Sequence, residues 1–170
     1  MIYHVSQNKI QNPYPVQTLH ATSPIFTRKK SKMLTCETNL RVRFNEVDAQ
    51  KIVWHGHYVN YFEDGRQAFG RKYNLGYLDV FGEGFTIPIV EFKVMNKSPL
   101  RFNDEAIVKT TFIDTQAAKI KFEYEIFHAE SKVLVAKGYS IQVFLSSETN
   151  ELELYPPSFY IAWKEKWGLR

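Results

Sequence analysis

The sequence predicts an α+β protein in which one long helix packs against an antiparallel β-sheet of about five strands. Three observations support this class. A stretch of helical periodicity covers residues 56–74, several segments with strand-like alternation follow it, and the connections between those segments are short. The composition, 44% hydrophobic and 15% aromatic, is typical of a globular domain.

The first strand is predicted in the segment TNLRVRF. Leu40, Val42 and Phe44 alternate with two arginines, so the three apolar side chains are expected to share one face of a half-buried strand. The next stretch, NEVDAQKIVW, shows neither the helical period nor the alternation of a strand and is expected to be a connecting loop.

The long helix is predicted from an apolar stripe. Tyr58, Phe62, Gly65 and Phe69 follow one another at spacings of 4, 3 and 4, which places them on one face. A glycine on the buried face favours close approach of the helix to a sheet. The segment after the helix, NLGYLDVFGEGF, is rich in glycine and is expected to form turns.

The rest of the chain predicts strands. Alternating or β-rich segments are TIPIVEFKVMNKSPL, EAIVKTTFID, KIKFEYEIFH and KVLVAKGYSIQVFL. The short links TQAA and AESK favour antiparallel hairpins. Two prolines at 156–157 are suited to open a short terminal helix. One helix covers one face of such a sheet, and aromatic and β-branched residues on the other face predict a partner subunit.

The net charge of +4 comes from the N-terminal segment. Residues 1–36 hold five of the 22 basic residues and no acid, which leaves 17 basic and 18 acidic residues in the rest of the chain. A near-neutral body argues against a nucleic-acid partner.

Three regions are predicted along the chain. Residues 1–35, rich in Ser, Thr, Gln, Asn and Pro, are typical of disorder, residues 36–150 form the domain, and residues 151–170 form an extension with a short helix. The first region is either a targeting leader or an over-long start that precedes Met33. Its single arginine and the lack of an amphipathic helix favour the second alternative.

The cysteine count and hydropathy limit the class of protein. A single cysteine, Cys36, excludes an intrachain disulfide and fits a reducing, cytoplasmic setting. No apolar stretch approaches the roughly 20 residues of a membrane span. His55 and His57 lack an evident third ligand, so no metal site is expected.

The stretch from Asp48 through IVWHGHYVNYFEDGR resembles the hotdog-fold acyl-CoA thioesterases, most closely the 4-hydroxybenzoyl-CoA thioesterase family. The resemblance covers roughly Thr38 to Leu145. It implies a helix wrapped by a sheet, hydrolysis of an acyl-CoA to a free acid and CoA, and no cofactor. It also implies a homodimer with a continuous sheet, or a homotetramer of two such dimers, with sites at the subunit interface.

The same resemblance implies roles for individual residues. Asp48 takes the position of the catalytic aspartate. His55 stands at the helix entry, where a backbone N–H polarises the thioester carbonyl, and Gly56 and Tyr58 follow it in the substrate-binding region. Lys51 departs from the family, which commonly has glycine there, and its side chain is a candidate contact for an anionic part of the substrate.

The chemistry of thioester hydrolysis is consistent with this assignment. The reaction needs a nucleophile or a base for water, together with donors for the developing oxyanion. A loop carboxylate directed at a helix N-terminus supplies both. Glu63 either supports such a site or lies on a solvated helix face, and Lys119 and Lys121 are candidates for binding CoA phosphates, as are Lys97 and Arg101.

Three alternatives to an acyl-CoA thioesterase stay open on the sequence. They are a thioesterase that acts on an acyl carrier protein instead of CoA, a domain that binds acyl-CoA without turnover, and a hotdog dehydratase. The presence of Asp48 argues against a silent binding module. The length and type of the acyl group depend on pocket shape, which the sequence does not define.

Overall fold

The computed structural model describes residues 33–169, which form one antiparallel five-stranded sheet with helices on it. The strand order is β1-β4-β5-β6-β3. The elements are β1 (Thr35–Arg41), α1 (His57–Tyr73), α2 (Tyr77–Gly82), β2 (Phe85–Thr86), β3 (Ile89–Asn96), β4 (Glu105–Ile113), β5 (Lys119–His128), β6 (Leu134–Val143), β7 (Leu145–Ser146) and α3 (Ser158–Lys166). This arrangement confirms the α+β hotdog prediction.

The predicted boundary between the leader and the domain stays a prediction. The proposed leader lies outside the described residues except for residues 33–35. Leu34 is buried, and its carbonyl accepts a hydrogen bond from the backbone N–H of Phe112 at 3.0 Å. Leu34 thus contacts the sheet, two residues before the predicted domain start at Cys36.

Helix α1 lies close against the sheet, as its stripe of apolar residues and glycine predicted. Phe62 stacks on Tyr124 with ring centroids 4.5 Å apart, and Phe69 packs against Phe122 at 4.9 Å. At Gly65, a Cβ atom would lie 2.4 Å from Oγ1 of Thr110. A larger residue at this position would push the helix off the sheet.

The two faces of the sheet differ in character. On β5, Ile120, Phe122, Tyr124 and Ile126 are buried beneath the helices, as the alternation predicted. The opposite face carries ion pairs, Lys109 with Glu125 at 3.0 Å and Lys121 with Glu123 at 3.9 Å. The same face also carries half-buried aromatic and β-branched side chains, as predicted, among them Ile107, Tyr139 and Ile141, and the partner subunit stays a prediction.

Two local predictions were wrong. Phe44 is 78% exposed because β1 ends at Arg41 and the chain enters a 3₁₀ turn, in which the Glu46 carboxylate accepts the Arg43 N–H. The glycine-rich stretch after α1 contains the helix α2. The Asp79 carboxylate accepts the Gly76 N–H at 2.8 Å and so caps the first turn of α2.

The C-terminal extension packs into the core. The indole N–H groups of Trp163 and Trp167 both donate to the backbone carbonyl of Tyr73, at 2.7 and 3.1 Å, at the end of α1. The buried amine of Lys164 pairs with Asp114 at 2.6 Å. Helix α3 thus holds the C-terminus of α1 and the β4–β5 turn. Within residues 33–169, no helix is long and apolar enough to cross a membrane.

Candidate active site

Asp48 occupies the corner of a tight hairpin, here called the Asp48 loop (residues 47–53). An antiparallel bridge joins Val47 to Val53, and the N–H of Asp48 donates to the carbonyl of Ile52 at 2.9 Å. Oδ1 of Asp48 accepts the N–H of Gln50 at 2.7 Å. Oδ2 makes no hydrogen bond to any group in residues 33–169, so this oxygen is free to contact another molecule.

Lys51 explains how the loop keeps its shape without the family's glycine. Its φ of 61° lies in the left-handed region, and its N–H donates to the carbonyl of Asp48 at 2.9 Å. A three-residue hairpin loop commonly ends in such a residue, for which glycine is preferred. The loop therefore has the geometry that a glycine would give it, with backbone strain at Lys51.

Lys51→Gly is expected to raise the free energy of unfolding by roughly 0.5–1 kcal/mol. Glycine removes the energetic cost of a positive φ, and this gain exceeds the cost of the extra conformational entropy that glycine gives the unfolded chain. Turnover should be retained. Urea denaturation and steady-state kinetics measure the two effects.

Lys132→Gly is the matched control, because Lys132 has a φ of 58° in the β5–β6 turn. It should give a similar gain in stability and leave KM unchanged. A rise in KM in Lys51→Gly alone would show that the Lys51 amine contacts substrate. Destabilisation by Lys51→Gly would contradict the strain assigned to this loop.

The entrance to α1 presents backbone donors next to the Asp48 loop. Within the described part of the chain, the N–H groups of His55 and Gly56 have no backbone acceptor, whereas the N–H of His57 donates to the carbonyl of Trp54 at 2.9 Å. The Trp54 indole lies over Gly56, where a Cβ atom would approach it to 2.0 Å. It also contacts the rings of His55 and His57, with centroids 4.8 and 5.6 Å away. Two free N–H groups at a helix start are suited to hold an oxyanion.

The Asp48 loop and His55 border one cavity of about 380 Å³, here called the Asp48 cavity, whereas Gly56 is not among the residues that line it. Asp48, His55 and Tyr58 line it, so the structure brings three of the predicted site residues together. Burial raises the pKa of Tyr58, and a hydrogen bond with the backbone of Leu100 opposes that shift. Lys97, from the loop after β3, also lines the cavity. Of the four cations considered for CoA phosphates, Lys97 is the one that lines this cavity.

The other predicted residues lie elsewhere in the protomer. The Glu63 carboxylate pairs with the buried guanidinium of Arg66 and accepts a 3.4 Å hydrogen bond from Tyr77, beyond the lining of the Asp48 cavity. Lys121 forms its ion pair on the outer face of β5, the strand that begins at Lys119. Their predicted contacts with substrate stay predictions. The described residues contain no group of three or more His, Cys, Asp or Glu side chains placed to hold a metal ion.

Glu46 and Tyr61 were not predicted to matter to the site. The carboxylate of Glu46 accepts hydrogen bonds from the Tyr61 hydroxyl and from the Arg43 N–H, both at 2.8 Å. Its carbonyl accepts the N–H of Trp54 at 2.9 Å. Fifteen residues separate the two side chains, and no local periodicity in the sequence indicates such a contact.

Comparison with known proteins agrees with this geometry. The chain is 26% identical over 117 residues to "Putative acyl-CoA thioesterase YneP" of Bacillus subtilis, a match that covers 69% of this chain and 84% of that protein. It is 33% identical over 107 residues to "Acyl-acyl carrier protein thioesterase ATL3, chloroplastic" of Arabidopsis thaliana, covering 62% of this chain and 56% of that protein.

A solved structure and a family model complete the comparison. The DHNA-CoA thioesterase of Staphylococcus aureus superposes with a TM-score of 0.69 at 23% identity, covering 78% of this chain and 90% of that one, which shows a shared fold. The sequence model of the Thioesterase-like superfamily matches residues 42–162, a range that includes the Asp48 loop, α1 and most of the sheet. The chain therefore belongs to the thioesterase-like superfamily.

Proposed function

We propose that this protein is an acyl-CoA thioesterase with Asp48 as its catalytic carboxylate. The observation that carries the proposal is that Asp48, with its free Oδ2, and His55 line one cavity, and that within residues 33–169 the N–H groups of His55 and the adjacent Gly56 have no acceptor. Thioester hydrolysis requires these two elements on either side of a carbonyl carbon. Membership of the superfamily and the similarity to an acyl-CoA thioesterase support the same activity.

Two routes use this geometry. As a general base, Asp48 removes a proton from water, and the water oxygen attacks the thioester carbon. As a nucleophile, the Asp48 carboxylate attacks that carbon itself and forms an anhydride that water then hydrolyses. In both routes the N–H groups of His55 and Gly56 stabilise the oxyanion, and the C–S bond breaks as the electron pair returns to form the C=O bond. The CoA thiolate leaves and takes up a proton.

Hydrolysis of a panel of short, long and aromatic acyl-CoA thioesters, followed by release of the CoA thiol, tests the proposal. Turnover of at least one member that depends on Asp48 supports it. Absence of turnover across the panel, with the folded protein confirmed by circular dichroism, would contradict it.

An acyl-carrier-protein thioesterase is the second candidate, favoured by the similarity to the Arabidopsis protein. The charge at the Asp48 cavity supports CoA instead, because the amine of Lys97, which lines the cavity, is suited to a diphosphate. Free CoA added to the hydrolysis assay separates the two. Competitive inhibition that Lys97→Ala weakens indicates CoA, whereas the lack of inhibition indicates a carrier protein.

The edge of the sheet supports a homodimer with a continuous sheet. Among residues 33–169, β6 is the one strand that pairs with β3, so the other edge of β3 is open there, and its Ile89 and Val90 are 38% and 59% exposed. An open apolar edge is suited to pairing with a second strand. We expect light scattering to give the mass of at least two chains at micromolar concentration.

Val90→Lys should weaken this dimer by placing a charge in the interface, with a concentration-dependent mass as the readout. Val133→Lys is the control, because Val133 is 49% exposed in the β5–β6 turn, near the Asn96 end of β3, whereas Val90 lies at the opposite end of that strand. A stable monomer of the parent protein would contradict the assembly.

A further inference from the structure

Glu46 connects the Asp48 loop to helix α1 by three hydrogen bonds. Its carboxylate accepts the Tyr61 hydroxyl and the Arg43 N–H, and its carbonyl accepts the N–H of Trp54 at the far end of the loop. One residue therefore joins the 3₁₀ turn before the loop, the chain after the loop and the helix. Asp48 follows Glu46 by two positions.

The contact between Glu46 and Tyr61 is built to persist. Tyr61 is 3% exposed, and burial, followed by the hydrogen bond to Glu46, raises the pKa of its hydroxyl. The phenol thus stays protonated and donates throughout the pH range of an assay. A hydrogen bond to an ionised carboxylate is roughly twice as strong as one between neutral groups.

The position of this contact matters for catalysis. Tyr61 lies one turn into α1, whose entrance carries the free N–H groups of His55 and Gly56. The distance from the Asp48 carboxylate to those donors depends on how the loop is held against the helix. On its other side the loop is held by the Val53 N–H, which donates to the carbonyl of Leu100 at 2.8 Å.

We infer that Glu46 and Tyr61 are positioning residues, which hold the Asp48 carboxylate at its working distance from the helix N-terminus. The expected effects on kinetics rest on the proposed thioesterase function. The restraint of the loop by this contact is a structural effect and is independent of that function. Neither side chain lines the Asp48 cavity, so the pair acts through Asp48 and leaves substrate binding unchanged.

Tyr61→Phe tests the inference because it removes the hydroxyl and keeps the ring. It should lower kcat roughly tenfold, less than the hundredfold that a 1 Å misplacement can produce, and change KM by less than about twofold. Glu46→Gln retains an acceptor for the Tyr61 hydroxyl and should retain more activity than Glu46→Ala. The double variant Glu46→Ala with Tyr61→Phe should be no slower than the slower single variant, because both remove one interaction.

Tyr73→Phe is the matched control. Tyr73 is a buried tyrosine of the same helix whose hydroxyl donates to the carbonyl of Thr35 at 2.7 Å, away from the Asp48 loop. Tyr73→Phe should lower the free energy of unfolding by about as much as Tyr61→Phe does and leave kcat unchanged. Equal loss of kcat in Tyr61→Phe and Tyr73→Phe would show a general effect of stability and overturn the inference.

Two further measurements make the test decisive. In an Asp48→Asn background, Tyr61→Phe should cause no additional loss of the residual rate, since the contact acts through Asp48; a further tenfold loss would overturn the inference. Amide hydrogen exchange at Asp48 and Lys51 should accelerate about tenfold in Tyr61→Phe and not in Tyr73→Phe. This exchange is measurable even if no acyl-CoA is hydrolysed, and unchanged exchange would overturn the inference independently of the proposed function.

Discussion

Asp48→Asn is expected to lower kcat by a factor of about 10² or more, while KM changes little. Asparagine keeps an acceptor oxygen for the N–H of Gln50, so the Asp48 loop should retain its shape. The substitution removes the charge and basicity of Oδ2, the oxygen left free in the structure. The loss of rate should therefore be chemical in origin, and steady-state kinetics on the preferred acyl-CoA measure it.

Two further variants serve as a control and a comparison for Asp48→Asn. Asp64→Asn changes an exposed acid on α1 outside the Asp48 cavity and should leave kcat unchanged. His55→Ala should lower kcat less than Asp48→Asn does, because the donor proposed at that position is the backbone N–H, which alanine retains. Near-parental hydrolysis by folded Asp48→Asn would rule out Asp48 as the catalytic carboxylate, and Glu63 would be the next acid to test.

Trp163→Ala is expected to lower the free energy of unfolding by about 3–5 kcal/mol, the usual range for removing a buried large aromatic side chain. Trp163 is 7% exposed and packs against Phe112 and Tyr160, with centroids 5.1 and 5.8 Å away. Its loss would leave a void between α3 and the sheet. Urea denaturation measures the change.

Trp163→Phe separates packing from hydrogen bonding. Phenylalanine keeps much of the ring and loses the N–H, yet the Tyr73 carbonyl would still accept the N–H of Trp167. The cost should therefore be near 1 kcal/mol, the net value of an ordinary hydrogen bond. A Trp163→Ala protein as stable as the parent would show that the C-terminal extension is dispensable for the fold.

The features of the fold that could be predicted depend on local periodicity. The alternation along β4 and β5 identified the buried face because neighbouring residues of a strand point to opposite sides. The stripe that includes Gly65 identified the helix and its close approach to the sheet. Each pattern lies within a single segment, so it can be recognised in the sequence without knowledge of distant contacts.

The features that were missed depend on contacts between a side chain and a backbone group. The helix α2 exists because Asp79 caps Gly76 and Val80 is fully buried, whereas the glycines nearby indicated only turns. Phe44 is exposed because Glu46 bends the chain after β1. Such contacts override intrinsic preference and are not evident from composition.

The candidate site was predictable in part for the same reason. Asp48, His55 and Tyr58 are close in sequence, and one loop followed by one helix brings them to one cavity. Lys97 reaches that cavity from the end of a strand some forty residues later. The sequence therefore could not show which of the four candidate cations lies at the cavity. Glu63 was ambiguous because its orientation depends on the ion pair with Arg66, a buried cation.

The placement of the three tryptophans gives the protein two separate optical reporters. Trp163 and Trp167 share the Tyr73 carbonyl at the junction of α1 and α3, and their emission should follow the docking of the C-terminal helix. Trp54 is 48% exposed and lies over Gly56 at the entrance to α1, next to the ring of His55, which lines the Asp48 cavity. An aqueous quencher such as acrylamide should therefore reach Trp54 first, and a ligand that covers the cavity should shield it. Occupancy of the site and integrity of the fold can thus be followed in one sample without an added label.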